Sequence, residues 1–446
     1  FERPFGTAGW VVRLPAFASW LAGAWMAHDL ARRIYGTPRD GAWAVLVWSS
    51  LPFVQAGFHL TTPDTPLVIF GWATFYFSLR ALLEGRPGLW AAAGAFAGLT
   101  LLGKYTGLIS LAAIFLGVLL SPGGRRQLAT PWPWLGGVLA LVVFSPVLIW
   151  NAQNEWISFL FQLDHGIKAQ SDYTPAWALG QFIIGQMGMV MPWTLIAMIG
   201  LSLRPGMIAP LRGASISPVL IAGFWVPLVF FGYNGMTHDG GGPNWPLMAY
   251  VPGTLLLAGG LNRWLSGFRR PIALRTALVL ISLCFAFSLL ILNLVRYPQL
   301  LHTAGVKTGK ERTQLTYSYD WPILWPKAAP MLEQQEVRYG TDCLVLVDDY
   351  QNASMAALML GSPRRIRVAL DGRFSQFHLW QQAQPPAPDN FCLAIRQNRF
   401  ENRFSATHSM PGRKPFVLYL VIPVETPDGL TRWFGLYRPQ VPPGTP

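Results

Sequence analysis

Ten apolar runs constrain what this chain can fold into more than any other feature. Their cores fall at 11–28, 41–60, 67–83, 89–103, 105–120, 133–150, 177–203, 216–233, 246–262 and 271–295. Most approach the ~20 residues a helix needs to cross about 30 Å of hydrocarbon. The fourth and fifth are shorter and abut at Gly103-Lys104-Tyr105, which predicts either a tight hairpin or a thin part of the protein. Composition agrees: 52% of residues are hydrophobic and 12% are charged, about half the charge share of an ordinary soluble protein. A disordered chain is excluded, and a soluble enzyme is disfavoured. The expected architecture is a polytopic α-helical membrane protein of about ten spans, residues 1–296. A small C-terminal α/β domain, 297–446, follows it. The chain opens with Phe1-Glu2-Arg3-Pro4 in a loop, which reads as a fragment lacking its true start.

The net charge of +13 has a membrane explanation. Arg32, Arg33 and Arg39, then Arg80 and Arg86, Arg125 and Arg126, Arg204 and Arg212, and finally Arg263, Arg269, Arg270 and Arg275 fall in alternate short loops. The other loops carry little beyond Arg3, Arg13, Lys104 and Lys168. The arginine-rich set is therefore cytoplasmic. The 61–66, 104, 151–176 and 234–245 loops and the tail face outward. No basic stripe or reading module calls for nucleic acid.

The tail alternates strand-like and helical segments. Cys343–Val347, Arg365–Leu370, Phe391–Ile395 and Phe416–Ile422 read as strands, and Asn352–Leu360 as a helix. Cys284 lies in an apolar run and reads as an inert core residue. None of the three cysteines has metal-ligand spacing. Cys343 and Cys392 both fall in strand-like segments; an extracytoplasmic tail permits a disulfide between them without requiring one.

Polar chemistry gathers in the outward loops. Asp64 sits between prolines in Thr61-Thr62-Pro63-Asp64-Thr65-Pro66, at the head of an apolar helix. A carboxylate there meets the positive end of the helix dipole; it reads as an N-cap, or as a catalytic acid or base, a metal ligand or a sugar contact. Lys104 is a lone charge between apolar runs, either snorkelling or meeting a lipid phosphate. His165, between Asp164 and Lys168, reads as a phosphate-binding or proton-transferring group, or as an ordinary surface-loop histidine. His238 and Asp239 lie in a Gly-rich loop that could take metal or substrate, though two residues do not make a metal site. Asn244 and Trp245 suit a sugar by hydrogen bonding and stacking, and interfacial tryptophan is also ordinary. Arg13 either snorkels or binds an anion.

Together these segments resemble the C-type (GT-C) glycosyltransferases that use polyprenyl-phosphate sugars. The likeness is to the bacterial branch related to protein O-mannosyltransferases and to the aminoarabinose transferase of lipid A. Five segments carry it: Val12-Arg13-Leu14-Pro15, Thr62-Pro63-Asp64-Thr65-Pro66-Leu67, Leu102-Gly103-Lys104-Tyr105-Thr106, Ser145-Pro146 through Asn151 to His165, and Pro243-Asn244-Trp245-Pro246. Asp349–Ser354 and Gly372–Phe377 in the tail are also similar to this branch. The resemblance implies a membrane transferase moving a hexose-type sugar, as mannosyltransferases do, from a polyprenyl-phosphate donor to a protein, lipid or glycan acceptor, on the outer face of a bacterial inner membrane. Asp64 is then the catalytic candidate, and Lys104, Arg13, His165, Lys168, His238, Asp239, Asn244 and Trp245 the substrate-binding ones. The family's main acidic pair belongs to a loop upstream of Phe1. The phosphate is already a good leaving group, so no metal or other cofactor is assigned. Two other classes compete. A lipid or sugar transporter or flippase predicts charges deep in several spans and repeat symmetry. A non-catalytic assembly protein predicts that the Asp64 and Lys104 loops tolerate change.

Overall fold

The computed structural model describes residues 9–59, 61–163, 174–204, 216–237, 242–265, 270–296, 316–339, 343–368, 375–383, 391–398, 404–408, 416–425 and 431–439. The chain forms two compact units, Phe1–Leu290 and Ile291–Pro446.

Among the described residues, each apolar run named above is mainly helical. The described helices are α1 (Gly9–Tyr35), α2 (Pro38–Ser50), α3 (Pro52–His59), α4 (Asp64–Glu84), α5 (Pro87–Gly103), α6 (Gly107–Leu120), α7 (Pro122–Leu128), α8 (Trp132–Gln153), α9 (Ile157–Leu163), α10 (Pro175–Val190), α11 (Pro192–Leu203), α12 (Ser217–Thr237), α13 (Tyr250–Leu265) and α14 (Arg270–Arg296). Four of them, α4, α8, α12 and the 271–293 stretch of α14, are each long and apolar enough to cross a membrane unaided. The number is six if the bent pairs α6–α7 and α10–α11 each count as one span. The other described helices are shorter or, like the 27-residue α1, less apolar. The 41–60 run breaks at Leu51-Pro52 into α2 and α3. The 177–203 run, expected to be continuous, bends by 101° between α10 and α11. Met191 there has φ 69°, and Pro192 offers no N–H to continue the ladder.

Small residues set the closest packing. Gly94 and Gly98, one turn apart on α5, face Gly136 and Ala140 on α8; a Cβ built on Gly94 would stand 2.0 Å from the Gly136 carbonyl oxygen. Such small-xxx-small stripes let helices associate where lipid supplies no hydrophobic drive. The charged ends of α1 and α4 are laced together. Glu84 takes Arg33 at 2.9 Å and Arg80 at 2.7 Å, and Tyr76 donates to Asp29 at 2.7 Å. Asp64 opens α4 and Glu84 closes it, so the two polar layers stand about 30 Å apart along the axis.

The second unit holds α15 (Thr316–Tyr339), α16 (Tyr350–Leu360), α17 (Gln376–Ala383) and a six-stranded sheet of order β2-β1-β3-β6-β5-β4. The strands are β1 (Leu344–Val347), β2 (Ile366–Val368), β3 (Phe391–Asn398), β4 (Thr407–His408), β5 (Phe416–Glu425) and β6 (Thr431–Pro439). β1 runs parallel to β2 and β3, and the remaining neighbours are antiparallel. Cys343 and Cys392, at the heads of β1 and β3, form a disulfide. Trp321, Val345, Ile395 and Phe434 are among the residues that fill the core. Beside it Arg432 pairs with Asp320 at 2.9 Å, the two side chains 9% and 1% exposed.

Candidate functional site

Three candidates far apart in sequence meet at one point. Asp64 is the first residue of α4. Its Oδ1 accepts from the Lys104 ammonium at 2.7 Å, and its Oδ2 accepts from Asn244 Nδ2 at 2.7 Å. The carboxylate thus opens a helix without capping it: Pro63 holds the N-cap position and makes no side-chain cap bond. The loop before it is shaped by Thr65 N–H to Thr62 O at 2.9 Å.

Lys104 is the C-cap of α5, in extended conformation. Its approach depends on Gly103, where a Cβ would stand 3.0 Å from the Leu67 nitrogen and 3.2 Å from Pro66. The two short runs are separate helices: α5 ends at Gly103, a turn of 104–106 follows, and α6 begins at Gly107. Lys104 and Asp64 are 25% and 17% exposed at their side chains, so the pair is shielded without being sealed.

Asn244 arrives on a turn before α13. Gln186 on α10 donates to the Pro243 carbonyl at 3.2 Å and accepts from the Tyr250 hydroxyl at 2.7 Å. Trp245 stands edge-on to Phe231 at 5.7 Å. Neither Gln186 nor Tyr250 was anticipated as part of the site. The available signal was a glutamine inside an apolar span, where polar side chains are costly and tend to have partners.

A second polar cluster adjoins Lys104 along the chain. Tyr105 shares a hydrogen bond with Ser158 at 2.8 Å, and Ser158 donates to the buried Asn151 at 2.8 Å. This seats α9 after a turn in which Glu155 and Trp156 adopt φ 54° and 58°. Two consecutive non-glycine residues there are unusual and are held by their surroundings.

Arg13 lies exposed on α1, and no hydrogen bond or ion pair joins it to Asp64 or Lys104. Ala16, one turn further, lines a small cavity of about 60 Å³ together with Thr62, Asp64 and Thr65. His165, Lys168, His238 and Asp239 lie outside the described residues. Among the described residues no group of three His, Cys, Asp or Glu side chains gathers as a metal site.

This architecture is that of an integral membrane protein with the GT-C fold. The chain is similar to ArnT from Cupriavidus metallidurans in two crystal structures. With the one bound to undecaprenyl phosphate it shares 17% identity at a TM-score of 0.58, and with the apo state 16% at 0.61. Each match covers 98% of this chain and 85% of the other. The profile of the family described as dolichyl-phosphate-mannose-protein mannosyltransferase matches residues 3–150. Comparison with curated proteins finds no match.

Proposed function

We propose that this protein is a membrane glycosyltransferase that moves a hexose-type sugar from a polyprenyl-phosphate donor to an acceptor on the outer face of a bacterial inner membrane. The observation that carries the reading is the meeting of Asp64 at the head of α4, Lys104 at the end of α5 and Asn244 on the turn before α13. An ammonium at a membrane boundary, oriented by a carboxylate, suits a lipid phosphate. Two comparisons support it: the mannosyltransferase profile includes both Asp64 and Lys104, and the similar ArnT was crystallised with undecaprenyl phosphate.

In this mechanism the acceptor hydroxyl oxygen attacks the anomeric carbon. The bond from that carbon to the phosphate oxygen breaks, and its electron pair leaves with the phosphate. Lys104 stabilises the charge gathering there. The hydroxyl proton goes to a carboxylate of the protein. Asp64 orients Lys104, and Asn244 fixes Asp64. Arg13, His165, Lys168, His238, Asp239 and Trp245 are further substrate contacts under this proposal. The positive-inside pattern favours an outward site, and the Cys343–Cys392 disulfide fits an oxidising compartment for the 297–446 domain.

The test uses the full-length protein in liposomes with radiolabelled polyprenyl-phosphate mannose or glucose. Label should leave the polyprenol in the wild type and stay on it in Lys104→Ala. Absence of turnover with either donor, in protein shown to be folded, would sink the hexose reading.

A further inference from the structure

A sizeable cavity among the described residues lies away from the Asp64 cluster. It has a volume of about 680 Å³ and is lined by α2, α11, α13 and α14, all within the first unit. Its α11 wall follows the bend at Met191-Pro192, where α11 turns by 101° from the direction of α10. One end reaches Ser50, Thr194 and Cys284; the other carries Arg204, Arg263 and Trp264.

Two dimensions place this cavity. Trp193 to Arg204 is eleven residues, about 16 Å along a helix, which is half of the ~30 Å hydrocarbon thickness and so the depth of one leaflet. Tyr250, bonded into the Asn244 turn through Gln186, stands thirteen residues from Arg263 on α13, about 20 Å. The mouth is therefore at the end of the helices away from the Asp64 site.

Its chemistry is equally directed. Leu257, Leu261, Leu280 and Ile281 make the wall largely apolar. Both arginines at the mouth are exposed, as is Trp264, and no Asp or Glu lines the cavity among the described residues. An apolar slot one leaflet deep, ending in two guanidinium groups and an interfacial tryptophan, matches an acyl chain below an anionic headgroup. Its volume falls in the ~300–1,000 Å³ range of pockets that hold small molecules. We infer that this cavity is a binding site for an anionic glycerophospholipid of the arginine-side leaflet, separate from the donor site. A zwitterionic lipid fills the slot as well but gains less from two cations.

The experiment is native mass spectrometry of the purified full-length protein, titrated with phosphatidylglycerol or with phosphatidylcholine of identical chains. It does not depend on glycosyl transfer, so failure of the proposed activity and failure of this site are distinguishable. Wild-type protein should retain phosphatidylglycerol at least tenfold better. Arg204→Ala with Arg263→Ala should erase that preference, at about fivefold for each arginine. Arg204→Lys with Arg263→Lys should keep most of it, which also guards against a misfolded alanine pair. Ala197→Trp, placed on the α11 wall, should weaken both lipids together. Equal retention of the two lipids in the wild type would overturn the inference, as would unchanged preference in the alanine pair. So would arginine-dependent displacement of phospholipid by undecaprenyl phosphate, which would make the cavity part of a donor path.

Discussion

Replacing Lys104 by Met, alone and together with Asp64→Asn, separates the two roles proposed for the pair. The charges are 2.7 Å apart, and at an effective dielectric of about 20 their gross attraction is about 6 kcal/mol. Desolvation and side-chain ordering consume most of it. Side-chain exposures of 25% and 17% place the pair between a surface bridge of about 0.2–1 kcal/mol and a buried one whose rupture costs about 3–5 kcal/mol. A coupling of about 1.5–3 kcal/mol follows, the range for a hydrogen bond to a charged group. Removing Lys104 should slow transfer about 10²–10³-fold, as loss of one oriented charge-stabilising donor does. Asp64→Asn should cost less in the wild-type background and almost nothing once Lys104 is gone, because an orienting residue has no role without what it orients. The assay is initial-rate transfer of labelled sugar in proteoliposomes, with the unfolding midpoint of each variant measured in parallel. Additive losses across the cycle would refute the orienting role and make Asp64 an independent participant. A Lys104→Met enzyme within threefold of wild type would remove the lysine from the site altogether.

Three further outcomes are expected. Asn244→Ala frees Asp64 Oδ2 and should lower transfer about tenfold, with a stability loss of about 1–3 kcal/mol in thermal unfolding. Asp320→Ala leaves Arg432 buried without its carboxylate and should destabilise the second unit by about 3–5 kcal/mol, read by urea denaturation. Gly94→Leu forces α5 off the Gly136 backbone; expression as a folded, monodisperse protein should collapse, whereas Gly137→Leu, with open space around it, should be tolerated.

Much of the first unit was legible because lipid imposes one rule everywhere: long apolar runs become helices, and arginine sorts their ends. The places where this reading needed correction are local. Nothing in an apolar window marks Met191 for left-handed backbone, so the 177–203 run read as one span. In the tail, Cys343–Val347, Phe391–Ile395 and Phe416–Ile422 emerged as strands close to the predicted limits, since each alternates or runs apolar between turn residues. The helix Thr316–Tyr339 was not anticipated. Pro322, Pro326 and Pro330 punctuate it and argue locally against helix, yet their spacing of four keeps them on one side while Trp321, Leu324, Ala328 and Leu332 enter the core. At the site, Asp64, Lys104 and Asn244 were each conspicuous as isolated polarity. Their convergence across 40 and 180 residues was not, because no local pattern encodes a contact between separate loops. Gln186 and Tyr250 stayed hidden for the same reason.

The carboxylate of Asp64 has two oxygens, and each is already engaged, one by an ammonium and one by an amide. Under the proposed function, an incoming lipid phosphate takes Lys104 only by competing with a partner seated 2.7 Å away. Donor arrival and release of Asp64 then become a single event, in the manner of an interlock. On that proposal the ammonium stays seated on Asp64 until a phosphate draws it away, so its charge is committed to a leaving group only once a donor is in place.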